Sequence, residues 1–143
     1  MILVDSYGLI ALARDEPAAA EVEALLRDAA GAAMPSVNLF EVVDYLVRRA
    51  GWPEEDVRVA LALLLDEAVR VLAVGAEIAW HGASLRARYY AKTVCEVSLA
   101  DCILLASAGA GDSIAAADPA IAFVARAEGI EVVRLSDSRG GRP

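Results

Sequence analysis

Apolar residues in this chain fall into two patterns that alternate along its length. Short apolar runs at 2–4, 32–34, 71–74 and 113–117, and a β-branched run at 130–135 with an arginine near its end, are bounded by Gly, Pro, Asp or Ser and predict strands. Between them, apolar residues recur three to four apart, the repeat of a helix with one buried stripe. Leu9, Ile10, Leu12 and Ala13 follow Asp5 in this way. Pro17 opens a second helical stretch to Arg27, with Val22, Leu25 and Leu26 on one side and Gly31 as its stop. Leu39, Val42, Val43, Leu46 and Val47 predict a helix over 38–49, ended by Gly51. Pro53, Glu54, Glu55 and Asp56 form an acidic helix start before the apolar stretch 57–65. Further helices are predicted over 76–92, over 98–108 and from Pro119 to about Glu128, where Gly129 stops the last.

Strands separated by helices imply parallel pairing through helical crossovers, because a parallel neighbour cannot be reached by a tight turn. The fold class is therefore α/β, a doubly wound parallel sheet covered by helices on both faces. It forms one domain over 1–135, with 136–143 as a frayed tail. In such sheets ligands bind beyond the carboxyl ends of the strands, so acids just after strands are the first candidates for a site.

Composition narrows the possibilities. With 143 residues, 58% of them hydrophobic and only 6% aromatic, the chain can bury one core, built from Ala, Leu, Val and Ile. Disorder is excluded. Thirteen basic against 21 acidic residues leave a formal charge of −8, which opposes sequence-independent binding to nucleic acid or anionic lipid. A phosphate-bearing substrate would need a metal ion or a local basic patch. Two cysteines, Cys95 and Cys102, and one histidine, His81, provide neither a disulfide framework nor a zinc set. The start of the chain lacks the basic segment of a signal peptide, and no uncharged apolar run reaches the ~18 residues of a membrane span. A soluble cytoplasmic protein, without a membrane partner, is expected.

Four acids stand at strand ends or helix starts: Asp5 after the first strand, Glu41 in the helix after Ser36, Asp101 in the helix after Ser98, and Asp118 after the fourth strand. Each alone also reads as capping. Asn38 with Glu41 and Ser98 with Asp101 match capping boxes, Asp118 before Pro119 is a good N-cap, and Asp5 can cap its own helix. Together they read differently, because the predicted topology gathers them at one sheet edge, where four carboxylates repel one another. A divalent cation such as Mg²⁺ or Mn²⁺, which prefers oxygen ligands, resolves that conflict and can activate water against a phosphate.

These residues resemble the PIN-domain ribonucleases, and among them the VapC-type toxins of toxin–antitoxin pairs. The likeness rests on Val4-Asp5-Ser6 before Leu9-Ile10-Ala11-Leu12, on Asn38-Leu39-Phe40-Glu41-Val42, on Ser98-Leu99-Ala100-Asp101, and on Ala117-Asp118-Pro119 with Gly129-Ile130-Glu131-Val132. The resemblance implies a Mg²⁺- or Mn²⁺-dependent endoribonuclease in which Asp5, Asp101 and Asp118 hold metal and Glu41 completes the pocket. It also implies a homodimer, a small structured RNA as substrate and a cognate antitoxin whose C-terminal segment covers the acids. The chain departs from the family at Ala116, where a hydroxyl is common, and at Tyr7, whose ring replaces a small hydroxyl.

Other residues read as structure. Arg86, Arg88 and Lys92, like Arg48 and Arg49, are either phosphate contacts or solvated surface, with surface the better reading. Trp52 and Trp80 read as core or interface anchors and Cys95 and Cys102 as small apolar side chains; Asp112 lies in a Gly-rich turn, and Asp44, a turn beyond Glu41, reads as a solvated acid in preference to an outer neighbour of the pocket. An aspartyl phosphohydrolase would need a second acid where Tyr7 stands; a receiver domain would need an acid pair at the first strand; and there is no P-loop. The non-enzymatic rival is a degenerate module of the same fold that binds RNA or protein without cutting.

Overall fold

Ile2, Leu3 and Val4 are apolar on both faces, and all three are buried, so the first strand of the chain can only be an interior strand. The computed structural model, which describes residues 1–28 and 31–141, places it at the centre of the sheet. The order of elements is β1 (Ile2–Val4), α1 (Ser6–Arg14), α2 (Ala19–Asp28), β2 (Ala32–Pro35), α3 (Ser36–Asp44), α4 (Glu54–Glu67), β3 (Val69–Leu72), α5 (Ala76–Tyr89), α6 (Leu99–Ala106), β4 (Ser113–Ala116), α7 (Pro119–Ala127) and β5 (Glu131–Arg134). Among the described residues the five strands form one sheet in the order β3-β2-β1-β4-β5, and every pairing is parallel. The doubly wound α/β expectation therefore holds. The strand order reverses direction between β1 and β4, and this switch point opens a crevice at the carboxyl ends of those two strands.

Alternation along the strands builds two cores. Ile2, Val4, Met34 and Ala115 pack with Leu9, Val22, Val42, Leu46 and Leu61 on one face. Leu3, Ala33, Ile114 and Ala116 pack with Leu85, Cys102, Leu105, Ile121 and Val124 on the other. Small residues let helices close on the sheet at two points. A Cβ on Gly8 of α1 would stand 2.7 Å from Val4 Cγ1, and one on Gly82 of α5 would stand 3.2 Å from the Cys102 carbonyl oxygen.

Several boundaries differ from the sequence expectation, each for a physical reason. The third strand starts at Val69 rather than Val71, because the register pairs Ala32 with Val69 and only Val69 turns its side chain fully into the core. The helix expected over 38–49 begins at Ser36, and after Asp44 it widens into a π-helical turn over Tyr45–Arg49, with the Ala50 amide donating to the Tyr45 carbonyl. The helix expected to reach Lys92 stops at Tyr89, where Ala91 and Cys95 form a tight antiparallel bridge instead. The tail is not frayed at its start: Ser136 is buried and donates from both its amide and its hydroxyl to Glu21 of α2, at 2.9 and 2.7 Å. Asp137 then organises a turn to Gly141, and positions 142 and 143 lie outside the described residues.

Gly8 yields a prediction opposite to helix propensity. Alanine usually favours a helix interior by about 0.5–1 kcal/mol over glycine, but here its methyl group would displace a stiff, β-branched Val4 within the core. Gly8→Ala is therefore expected to lower stability by about 1–3 kcal/mol, the usual cost of overpacking, measured by urea unfolding.

Candidate active site

The crevice at the switch point is built by backbone connections first. Asp5 follows β1 directly, and its amide donates to the Ala115 carbonyl of β4 at 3.0 Å, which extends the parallel ladder by one residue. This pairing carries Asp5 into the sheet, and it is only 6% exposed. It occupies the N-cap position of α1 in extended conformation, with no side-chain cap hydrogen bond formed. Its capping expectation is therefore not met. Burial, reinforced by the nearby Asp101 and Glu41 carboxylates, pushes its acid up to about 7, although the Ser6 and Tyr7 amides favour the charged form.

Glu41 reaches the same place from α3. The Asn38–Glu41 capping box does not form, because α3 starts two residues before Asn38 and Pro35 stands at its N-cap. Both side chains turn inward instead. The Ser6 hydroxyl donates to Glu41 Oε2 at 2.7 Å, and it accepts from Asn38 Nδ2 at 3.1 Å. Asn38 is fully buried, and its Oδ1 finds no donor among the described residues. Burial raises the Glu41 acid above the usual carboxylate range, with Asp101 adding to the effect and the Ser6 hydroxyl opposing it.

Asp101 arrives from α6 through a complete capping box. The Ser98 amide donates to Asp101 Oδ2 at 2.6 Å, and the Asp101 amide donates to Ser98 Oγ at 3.0 Å. Even so, burial raises its acid, and the Asp118 carboxylate adds to that, while Ser98 and the Arg86 guanidinium hold it down. Asp118 caps α7 as expected, accepting from the Ala120 amide at 2.6 Å, and it is exposed at the crevice mouth.

The four acids thus share one electrostatic environment: Asp101 acts on Asp5 and Glu41, and Asp118 acts on Asp101. Among the described residues no salt bridge neutralises any of them. Neither do three such side chains converge into a ready metal cage among those residues. The donor set nonetheless suits a hard divalent cation that keeps part of its water shell. All four side chains offer oxygen, the buried Asp5 has no ion pair among the described residues, and Asn38 Oδ1 is a buried acceptor able to accept a hydrogen bond from water.

Other residues are sorted by their contacts. Ala116 is buried in the core cluster that holds α5, α6 and α7, so the missing hydroxyl leaves an apolar contact there. Tyr7 packs against the opposite core, and burial together with Glu16, Asp137 and Glu21 pushes its phenol up to about 12. Its ring is a core element. Asp44 and Arg48 form an exposed pair at 2.7 Å, as solvated surface. Arg88 pairs with Glu128 at 2.9 Å, away from the acids. Arg86 departs from the surface reading: it is half-buried, bonds the Val97 carbonyl and stacks on Tyr90 with its guanidinium carbon 4.2 Å from the ring centroid. Trp52 packs against the core, whereas Trp80 is 76% exposed. The sequence singles out the four acids but not Asn38 as a buried partner of Ser6, since that contact spans 32 residues.

A family model described as the PIN domain matches residues 2–140. No curated protein matches by sequence. Among solved structures, VapBC2 from Rickettsia felis bound to a promoter DNA fragment superposes with a TM-score of 0.66 at 14% identity, over 94% of this chain and 99% of that one. The sarcin–ricin loop cleaving toxin VapC20 from Mycobacterium tuberculosis gives 0.60 at 22% identity, over 91% and 85% of the two chains. A toxin–antitoxin complex from Klebsiella pneumoniae gives 0.60 at 22% identity, over 82% and 87%. At these identities the likeness is one of fold.

The raised acid of Asp5 sets a pH dependence for the metal-free protein. A carboxyl whose folded pKa lies above its unfolded value binds more protons when folded, so stability is greatest below about pH 4 for this group and falls as pH rises toward about 7. In EDTA, Asp5→Asn is expected to raise the melting temperature at pH 8 and to flatten the slope between pH 5 and 8. A scanning calorimetry series across that range checks it, and an unchanged or lower melting temperature at pH 8 contradicts it.

Proposed function

The chain belongs to the PIN domain family, and from that membership we propose that it is a divalent-metal-dependent endoribonuclease acting as the toxin of a toxin–antitoxin pair. The observation that carries this reading is the crevice itself. A protein does not gain stability by burying Asp5 beside Glu41 and Asp101 without a cation, because each charge raises the cost of the next. Such an arrangement is best understood as a site kept ready for a charged ligand.

Asp5, Asp101 and Asp118 would hold Mg²⁺ or Mn²⁺. When bound, that ion supplies a water acidic enough to act near neutral pH and neutralises charge on the phosphodiester. The protein's own groups do the rest. Asp5 is fixed by the strand and Asp101 by its capping box, so neither must reorganise as substrate arrives. Ser6 orients Glu41 through Oε2, and burial raises the Glu41 acid, which makes its carboxylate a stronger base toward a proton of water.

The partners follow in the same terms. The Mycobacterium tuberculosis relative in fold is named for cleaving the sarcin–ricin loop, and RNA is the substrate class proposed here. The Klebsiella pneumoniae and Rickettsia felis relatives are toxin–antitoxin assemblies, which supports a cognate antitoxin. An apolar groove of about 400 Å³ between α3 and α4, lined by Leu39, Val43, Val57, Leu61 and Leu65, adjoins the helix that carries Glu41 and offers a surface for it. Exposed Phe40 and Leu99, each 69% accessible, offer a further apolar surface for a homodimer. Among the described residues no helix is long and apolar enough to cross a membrane, consistent with action on cytoplasmic RNA.

The test is cleavage of total RNA by purified protein in Mg²⁺ or Mn²⁺, against EDTA. Discrete metal-dependent products are expected. Asp5→Asn should abolish them, and Glu41→Gln should slow them by about 10²–10⁴-fold, the range for loss of an acid–base group. Millimolar Mn²⁺ should also raise the melting temperature of the wild type, as linkage requires, but not that of Asp5→Asn. A folded wild-type protein that cuts no RNA and gains nothing from Mn²⁺ would overturn the enzymatic reading in favour of a binding module.

A further inference from the structure

One cation of the molecule is spent in an unusual place. Arg86 lies on α5, yet its guanidinium leaves that helix to bond the carbonyl of Val97, eleven residues on. Val97 is fully buried, so this carbonyl has little water to fall back on. Tyr90 stacks against the guanidinium, whose carbon lies 4.2 Å from the ring centroid. The side chain is therefore held by a hydrogen bond and by an aromatic face, and it is not the mobile arm of a solvated arginine.

The Val97 carbonyl and the Ser98 amide belong to one peptide group. Arg86 donates to its oxygen end, and its N–H end donates to Asp101 Oδ2 at 2.6 Å. Hydrogen bonds arranged in series through a peptide polarise one another: a cation drawing on the oxygen makes the N–H a stronger donor. The chain guanidinium, peptide, carboxylate thus connects a full positive charge to an acid of the crevice without a direct ion pair. A direct pair would occupy carboxylate oxygens that a metal ion needs; the relay leaves Oδ1 of Asp101 outside it.

We propose that Arg86 is a positioning residue that fixes the Asp101 carboxylate through the Val97–Ser98 peptide group. The proposal rests on the reading of Asp101 as part of the metal-holding set. It assigns to α5 a role in the crevice, and it explains why the segment 90–98, which includes the exposed Val94, still delivers Ser98 to one place. Two anchors bracket that segment: the Ala91–Cys95 bridge closes its first half and Arg86 closes its second.

The experiment compares wild type, Arg86→Met and Arg86→Lys by amide NMR and by Mn²⁺ titration. In Arg86→Met the Ser98 amide proton should move upfield and lose exchange protection relative to the amides of α7, and Mn²⁺ affinity should fall by about 10–100-fold, the range for loss of a group that orients a metal ligand. Arg86→Lys keeps a charged donor and should restore most of both. In an Asp101→Asn background, Arg86→Met should weaken Mn²⁺ no further, because its target is gone. An unmoved Ser98 amide in Arg86→Met, or a loss of protection spread evenly over the whole chain, overturns the proposal. If the wild type binds no Mn²⁺ and cuts no RNA, the nuclease reading fails on its own, while the Ser98 amide still decides whether the relay exists.

Discussion

The carboxylate of Asp5 sits at the end of the central strand with almost no access to water, and other acids lie near it. Everything around the crevice can be understood as managing that charge. The parallel ladder continues through its amide, so the residue cannot swing out to solvent without losing a pairing with β4. Glu41 is restrained by Ser6, and Asp101 by Ser98, so the repulsion is met by fixing the acids in place. Relief through motion would have left a looser site. Neutral hydrogen-bond donors do most of this work: hydroxyls and amides stabilise carboxylates without removing the net charge that a cation would complement.

The stability for such an arrangement comes from elsewhere in the molecule. Two apolar layers enclose the sheet, and small residues such as Gly8 and Gly82 let the helices approach closely. The edges are held by contacts between distant parts of the chain, of which the Glu21 carboxylate receiving both the amide and the hydroxyl of Ser136 is the clearest. A rigid frame allows the crevice to remain electrostatically unfavourable without unfolding it.

Much of this was legible in the sequence because it depends on local pattern. The strands at 2–4 and 113–117, the Ser98–Asp101 box and the Asp118–Pro119 cap depend on residues within three or four positions of each other, and they formed as expected. The four acids could be placed at one edge because parallel strands carry their ends to the same side. What could not be read depends on partners far along the chain. Asn38 resembles a cap until Ser6 draws it inward, and Arg86 resembles a surface charge until the loop at Val97 returns to it. The start of the tail looked frayed because its anchor, Glu21, lies 115 residues earlier. The third strand was displaced by two residues because an edge strand, covered on one face, carries a weaker apolar signal than a central one.

The strand order has a consequence for synthesis. β1 is central, and it is made before β2, β3 and its other partner β4. A chain emerging from the ribosome can pair β1 with β2 and β3, yet Asp5 stays at an open edge until Ser113–Ala116 have followed, and Asp118 comes only after them. The crevice therefore closes only after β4 has been made. A chain that ends before Asp118 would carry the early acids without the late one, and so an unfinished crevice.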